Sequence, residues 1–305
     1  MSFDDFTTEL SNGVKVPLLG LGTSHSGGYC HDTVVYALKD CKYRLIDTAK
    51  RYGCEKYLGR ALKESGLPRE EVFLNTKLWP TAYGYHNAIE TFHGSMKRLG
   101  VDYLDMYLMH WPLCRSEFPC AKKLLEETWH ALEKIYDSGL CRAIGVSNYD
   151  IDDLEDLLST ANITPHVNQV EFHPYQNNHG LRQFCEDKNI NVMGYSPLAK
   201  GKILSEKPVM EIASHYNKTP SQILIKWSMQ NGVITIPKST KKERVLENCQ
   251  VYDFELCDNS MNILNCIEER ISAGCYDKLS AQRSIDGNQP DGYKLHKKCL
   301  NRVHS

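Results

Sequence analysis

Short apolar runs alternate with amphipathic stretches of helical period through most of the chain. Before that rhythm begins, residues 6–11 and 14–16 form two short extended runs around Asn12-Gly13, a pair that tolerates positive φ and marks a hairpin. From Pro17 onward the pattern predicts strands over 18–23, 44–48, 72–77, 104–109, 142–146, 166–172, 191–195 and 233–236. Helices are predicted between them. The helix after the second strand places Tyr57, Leu58, Ala61 and Leu62 on one face and stops at Gly66. The helix after the third carries Tyr85, Ile89, Phe92, Met96 and Leu99 and stops at Gly100; the one after the fourth carries Leu125, Trp129, Leu132 and Tyr136 and stops at Gly139. Further helices are expected over 32–39, 151–159, 181–188 and 241–248. Two more fall between the seventh and eighth strands, the second opening on the capping box Thr219-Pro220-Ser221-Gln222. A last helix is expected near 260–273, and the tail with Gly287, Pro290 and Gly292 reads as irregular and surface-lying.

Eight strands each followed by a helix predict an α/β fold, a (β/α)8 TIM barrel in one domain over 1–305. A hairpin at about 6–16 precedes the barrel at about 17–250, and a C-terminal helix and tail follow at about 251–305. An open doubly wound sheet is the competing architecture. It normally carries GxGxxG after its first strand, and Gly20-Leu21-Gly22-Thr23-Ser24-His25 lacks the third glycine.

Composition narrows the function classes. The chain is 41% apolar and 24% charged with a net charge of −2, which gives no global attraction to nucleic acid or an anionic membrane. No apolar run reaches membrane-spanning length, and the acidic start Met1-Ser2-Phe3-Asp4-Asp5 does not read as a signal peptide, so a cytoplasmic address is expected. Twelve cysteines form no CxxC pair, which suits reduced, buried thiols better than a disulfide framework or a zinc site. A monomer is expected, because a closed barrel leaves no long strand edge to pair.

Polar residues end each strand: Thr23, Asp47, Lys77, His110, Ser147-Asn148, Gln169, Tyr195-Ser196 and Lys238-Ser239. In a barrel all these ends share one face, where such folds do chemistry. Asp47 and Tyr52, taken alone, read equally as a turn cap and a packing ring. With Lys77 and His110 beside them they suit proton delivery to a developing alkoxide. A charged lysine near a tyrosine favours the phenolate, and opposite charges ~4 Å apart interact by roughly 4 kcal/mol at an effective dielectric near 20. His110 can donate a second hydrogen bond to the same oxygen. No nucleophile–base pair suggests acyl transfer, and no His/carboxylate cluster suggests a metal.

The chain resembles the aldo-keto reductases. The residues that carry the resemblance are Gly20-Leu21-Gly22-Thr23, Ile46-Asp47-Thr48-Ala49 with Tyr52, Glu55 and Gly59, Thr76-Lys77-Leu78-Trp79, and Leu108-Met109-His110-Trp111-Pro112. They continue with Ile144-Gly145-Val146-Ser147-Asn148, Asn168-Gln169-Val170-Glu171-Phe172-His173-Pro174, Gly194-Tyr195-Ser196-Pro197-Leu198, and Ile236-Pro237-Lys238-Ser239 with Arg244, Glu247 and Asn248. They cover roughly 8–250 in the family's order.

The resemblance implies reduction of a small-molecule aldehyde or ketone by NADPH, with Asp47, Tyr52, Lys77 and His110 as the catalytic tetrad and Tyr52 as proton donor. It implies that Tyr195 stacks on the nicotinamide and that Ser147, Asn148 and Gln169 hold its carboxamide. Lys238, Ser239 and Arg244 would bind the adenosine 2′-phosphate, Glu247 and Asn248 the adenine, and Gly22, Thr23, Ser196 and Leu198 belong with the cofactor residues. Trp79 and Trp111 would line the substrate pocket with His110. Glu171 and His173 carry no assigned chemistry, and Lys200 and Lys202 suit a pyrophosphate or plain solvation equally. The stretch 199–207 is short where some members have a long loop over the cofactor, and the tail after Gly274 is where the family shapes its substrate pocket. A cofactor-binding barrel with a structural or regulatory role and little turnover is the alternative.

Overall fold

A computed structural model describes residues 6–24, 28–118, 120–267 and 278–287. The Asn12-Gly13 turn joins β1 (Thr7–Glu9) to β2 (Lys15–Pro17) in antiparallel register, Thr8 opposite Val16. The Asn12 side chain accepts from the Val14 N–H and donates to the Arg142 carbonyl at 2.9 Å, which fastens the hairpin to the base of the barrel.

The alternating elements follow. They are β3 (Leu21–Gly22), α1 (His31–Lys39), β4 (Leu45–Asp47), α2 (Glu55–Ser65), β5 (Phe73–Leu78), α3 (Tyr85–Leu99), β6 (Leu104–Met109) and α4 (Ala121–Asp137). Then come β7 (Cys141–Ser147), α5 (Ile151–Leu158), β8 (Val167–Glu171), α6 (His179–Asp187), β9 (Asn191–Tyr195), α7 (Lys207–Tyr216), α8 (Pro220–Gln230), β10 (Ile234–Ile236) and α9 (Lys242–Cys249), with α10 (Asp258–Asn265) and α11 (Lys278–Asp286) after them.

β3 to β10 lie in sequence order, every neighbouring pair parallel. The ring closes through a parallel bridge between Leu19 and Thr235, where the Gly20 N–H donates to the Thr235 carbonyl at 2.9 Å and the Thr235 N–H to the Leu18 carbonyl at 2.7 Å. This closure explains why β3 is shorter than the strand expected over 18–23: its first residues bond β10 and its last bond β4.

Residues two apart on a strand share a face, so Met106 and Leu108 of β6 turn inward with Leu45, Phe73, Ala143, Val167, Met193, Ile234 and Ile236. Leu10 and Val16 of the hairpin join this inner cluster and plug the barrel floor. The opposite strand faces, Tyr107 and Met109 among them, pack against the helices with Leu58, Phe92, Trp129 and Trp227. The Thr219 capping box forms as expected, its hydroxyl accepting from the Gln222 N–H while the Gln222 side chain accepts from the Thr219 N–H. A second capping box, Asp150 with Asp153 at the start of α5, was not legible beforehand as such.

Two expectations change. The helix expected near 260–273 begins at Asp258 and ends at Asn265, with residues 268–273 outside those described. The tail is not wholly irregular: α11 packs Ala281 and Ile285, both fully buried, against Trp79 and Trp111. Among the described residues no helix is long and apolar enough to cross a membrane.

Candidate active site at the barrel mouth

β4 ends on Asp47, in register with Gly22 of β3 and Asn75 of β5. Its Oδ1 accepts from Lys77 Nζ at 2.7 Å, Asn75 Nδ2 at 2.6 Å and Gln169 Nε2 at 2.8 Å, and its Oδ2 accepts from Lys77 Nζ at 2.8 Å. Lys77 also donates to the Thr48 carbonyl at 2.9 Å, so these hydrogen bonds all go to fixed oxygens of the Asp47–Thr48 corner. Both side chains are buried. Burial pushes the Lys77 ammonium below the ordinary lysine range, and the Asp47 carboxylate pulls it back up.

Tyr52 closes the single turn Lys50–Tyr52, which Gly53 ends in the left-handed region. Its half-buried ring has Lys77 Nζ 5.1 Å from its centroid, and the His110 ring stands edge-on to it at 5.8 Å. His110 follows β6, held by its N–H to the Leu78 carbonyl, and meets the Trp79 ring edge-on at 5.1 Å. The four expected residues therefore do converge. Trp79 and Trp111 form an apolar wall beside them, with Trp111 fixed by Tyr83, whose hydroxyl donates to the Trp111 carbonyl at 2.6 Å.

Across the mouth, Ser147 donates to the Gln169 carbonyl at 2.8 Å. Asn148, left-handed at φ 64°, donates to the His110 carbonyl at 2.9 Å and accepts from the Tyr195 hydroxyl at 2.7 Å. Gln169 turns its amide nitrogen to Asp47, because a carboxylate only accepts. Ser196 and Leu198 lie half-buried on the turn after β9, and Lys200 and Lys202 beyond them are exposed.

Gly22 and Thr23 line the seam of the barrel. The Gly22 N–H donates to the Pro237 carbonyl, and a Cβ on Gly22 would stand 3.2 Å from the Ile236 carbonyl oxygen, a tight fit for anything but glycine. Thr23 gives both its N–H and its hydroxyl to the Asp47 carbonyl, at 2.9 and 3.0 Å.

The third group sits after β10. Lys238 and Ser239 are half-buried, and Ser239 Oγ accepts from the Lys241 N–H at 3.1 Å, which shapes the entry to α9. Arg244 is exposed on α9 and Asn248 buried. The Glu247 carboxylate already accepts from the Thr219 hydroxyl at 2.7 Å, so one of its oxygens serves the α8 cap. Burial pushes Lys238 down to about 8, a cost that a bound anion relieves.

Glu171 and His173, unassigned from sequence, are both buried and meet at 3.1 Å between Oε1 and Nε2. Three contributors were missed. Asn75 lies within the strand expected over 72–77 and was given no role, although standing two positions before Lys77 put it on the same inward face. Arg51 and α11 gave no local signal, since both reach the mouth through tertiary contacts: Arg51 lies over Trp79 and donates to Ser284 of α11.

A parallel barrel with a buried lysine–carboxylate pair, a phenol and an imidazole at its C-terminal mouth has the groups of a proton-transferring barrel enzyme. The family model described as "Aldo/keto reductase family" matches residues 18–269, and the chain belongs to that family of NADP-dependent carbonyl oxidoreductases. An oxidoreductase of Caenorhabditis elegans is 48% identical over 292 residues, 95% of this chain and 89% of that one. The glyoxal reductase of Bacillus subtilis is 42% identical over 269 residues, 87% of this chain and 94% of its own. An aldo-keto reductase solved in complex with NADPH superimposes with a TM-score of 0.79 at 30% identity, covering 86% of this chain and 87% of that one.

Proposed function

We propose that this chain reduces aldehydes and ketones to alcohols with NADPH, and that Tyr52 delivers the proton. The observation that carries the reading is the buried Lys77 ammonium, gripped by both Asp47 oxygens, with the Tyr52 ring 5.1 Å from it and the His110 ring 5.8 Å from Tyr52. NADPH, when bound, supplies the hydride. Negative charge then develops on the carbonyl oxygen and needs donors already in position. Tyr52 gives its hydroxyl proton to that oxygen, and the Lys77 charge stabilises the phenolate left behind. Asp47 keeps Lys77 protonated against the pull of burial. His110 donates to the same oxygen, its ring held edge-on against Trp79.

Tyr195 offers its half-buried ring to the nicotinamide. Ser147, Asn148 and the Gln169 amide oxygen take the carboxamide, which fixes the face presented to substrate. Lys238, Ser239 and Arg244 take the 2′-phosphate, and the lysine depressed by burial fits an anion there. Glu247 and Asn248 are assigned to the adenine, with Gly22, Thr23, Ser196 and Leu198 along the cleft. Trp79 and Trp111 favour carbonyls with an apolar or aromatic body.

The test follows NADPH absorbance with 4-nitrobenzaldehyde and with glyoxal, the substrate in the name of the Bacillus relative, for wild type and Tyr52→Phe. Turnover that falls by about 10³ in the variant, with NADPH bound equally by both, is the expected result. Equal turnover would remove Tyr52 as donor. NADPH binding without turnover of any carbonyl would point to the structural or regulatory role instead.

A further inference from the structure

Asn75 lies beneath the ion pair at the mouth and has no part in the chemistry above. It stands directly opposite Asp47 in the parallel register of β4 and β5. It also stands two positions before Lys77, so both β5 side chains turn to the inner face of the barrel. Asn75 and Lys77 are fully buried and Asp47 is nearly so. Asp47 Oδ1 accepts from Asn75 Nδ2 at 2.6 Å, from Lys77 Nζ at 2.7 Å and from Gln169 Nε2 at 2.8 Å. Its Oδ2 accepts from Lys77 Nζ at 2.8 Å. Two neutral amides, one from β5 and one from β8, thus share a single oxygen with the ammonium.

A carboxylate only accepts, so Asn75 turns its amide nitrogen to Asp47, and its Oδ1 meets no donor among the described residues. A buried amide oxygen without a donor costs free energy that a leucine of similar shape would not. Packing therefore explains this side chain poorly, and what the amide offers in return is its N–H to Asp47. That N–H takes up part of the negative charge on Oδ1. A carboxylate engaged in this way cancels less of the Lys77 charge at the Tyr52 ring, whose centroid is 5.1 Å from Nζ. The other titratable groups turned toward this corner are Cys54 after Tyr52, His110 after β6 and Lys238 after β10. Burial pushes the Cys54 thiol up, which keeps it uncharged, and Glu171 at the end of β8 is met by His173.

We propose that Asn75 is a positioning residue for the proton transfer: by donating to Asp47 Oδ1 it keeps the Lys77 charge directed at Tyr52 and makes the phenol a stronger acid. The proposal rests on the reductase reading and adds to it a residue that acts through Asp47.

The experiment follows single-turnover oxidation of bound NADPH by saturating 4-nitrobenzaldehyde from about pH 6 to about pH 9, in wild type, Asn75→Leu and Asn75→Asp. Asn75→Leu is expected to slow this step about 3- to 10-fold and to leave NADPH affinity within about twofold. It is also expected to raise the titration midpoint of Tyr52 by about half to one pH unit. That midpoint is read by NMR of tyrosine labelled with carbon-13 at Cζ, the resonance being assigned by its loss in Tyr52→Phe. Asn75→Asp keeps the shape and sets a second carboxyl beside Asp47, and two such groups share one proton. With that proton in place it donates as the amide does. Its rate is therefore expected within about twofold of wild type at about pH 6, falling to about a tenth of it by about pH 9. An unmoved Tyr52 midpoint in Asn75→Leu overturns the proposal. So does a ratio of Asn75→Asp to wild type that stays constant with pH, a comparison that stands even if Asn75→Leu does not fold. Failure of wild type to oxidise NADPH with any carbonyl would overturn the reductase reading instead, and the Tyr52 midpoint would still test the Asn75 contact.

Discussion

The barrel carries a buried carboxylate at each end, and the two are wired differently. At the base, Asp105 near the start of β6 accepts from Arg69 at 2.6 Å, Arg142 at 2.8 Å and the Leu74 N–H at 2.9 Å. Its two cations reach solvent, their side chains 21% and 45% exposed. At the mouth, Asp47 meets a lysine with no exposure at all, and that lysine looks onto a tyrosine ring. A cation that keeps part of its hydration holds strands together at modest cost. A cation stripped of water and placed beside a phenol is expensive to bury, and what that cost secures is a field on the phenol. Burial of a charge alone therefore does not mark a catalytic site. The distinguishing feature is what the buried charge faces on its remaining side.

That contrast can be broken at either end. The largest effect is expected from Lys77→Met, which leaves Asp47 without its cation and Tyr52 without the charge that favours its phenolate. The expected fall in kcat is about 10²- to 10⁴-fold, read from steady-state NADPH oxidation. Cofactor binding should persist in a fluorescence titration.

A smaller effect concerns pH. Burial holds Lys238 down to about 8, so above that value it is mostly neutral and must take up a proton before it can meet a phosphate as a cation. The affinity for NADPH is expected to weaken by up to about tenfold per pH unit above 8, and to be level below it. Lys238→Met should flatten this dependence. NADH, which lacks the 2′-phosphate, should show little of it.

The smallest change is expected at the base. Arg142 is nearly half exposed, so Arg142→Met should lower stability by about 1 kcal/mol in urea unfolding and leave kcat within a factor of about three.

Much of this arrangement was legible from sequence because a parallel barrel writes its strands as short apolar runs with a polar residue at the end. β6 and β9 were bounded to the residue, since both are buried on two faces and flanked by sharp polarity changes. Asp47, Lys77 and His110 stood out as polar residues at the ends of such runs, and Tyr52 came with them. Asn75 did not, because one amide in a buried strand resembles an ordinary interior polar residue until its partner is known. The helix Lys278–Asp286 was missed for a related reason: the packing of its Ala281 and Ile285 depends on two tryptophans far away in the chain. Residues held by contacts distant in sequence leave no local pattern.

The most direct test is one paired measurement: kcat for Asp47→Asn and Asp105→Asn, at a temperature where urea titration shows both folded. Each substitution removes a buried carboxylate with almost no change in shape, one at each end of the barrel. Asp47→Asn is expected to lose at least about 100-fold in kcat, while Asp105→Asn keeps kcat within about threefold and loses about 3 kcal/mol of stability. Equal losses of kcat at the two ends, or full turnover by Asp47→Asn, would contradict the claim that the mouth pair is wired for proton transfer.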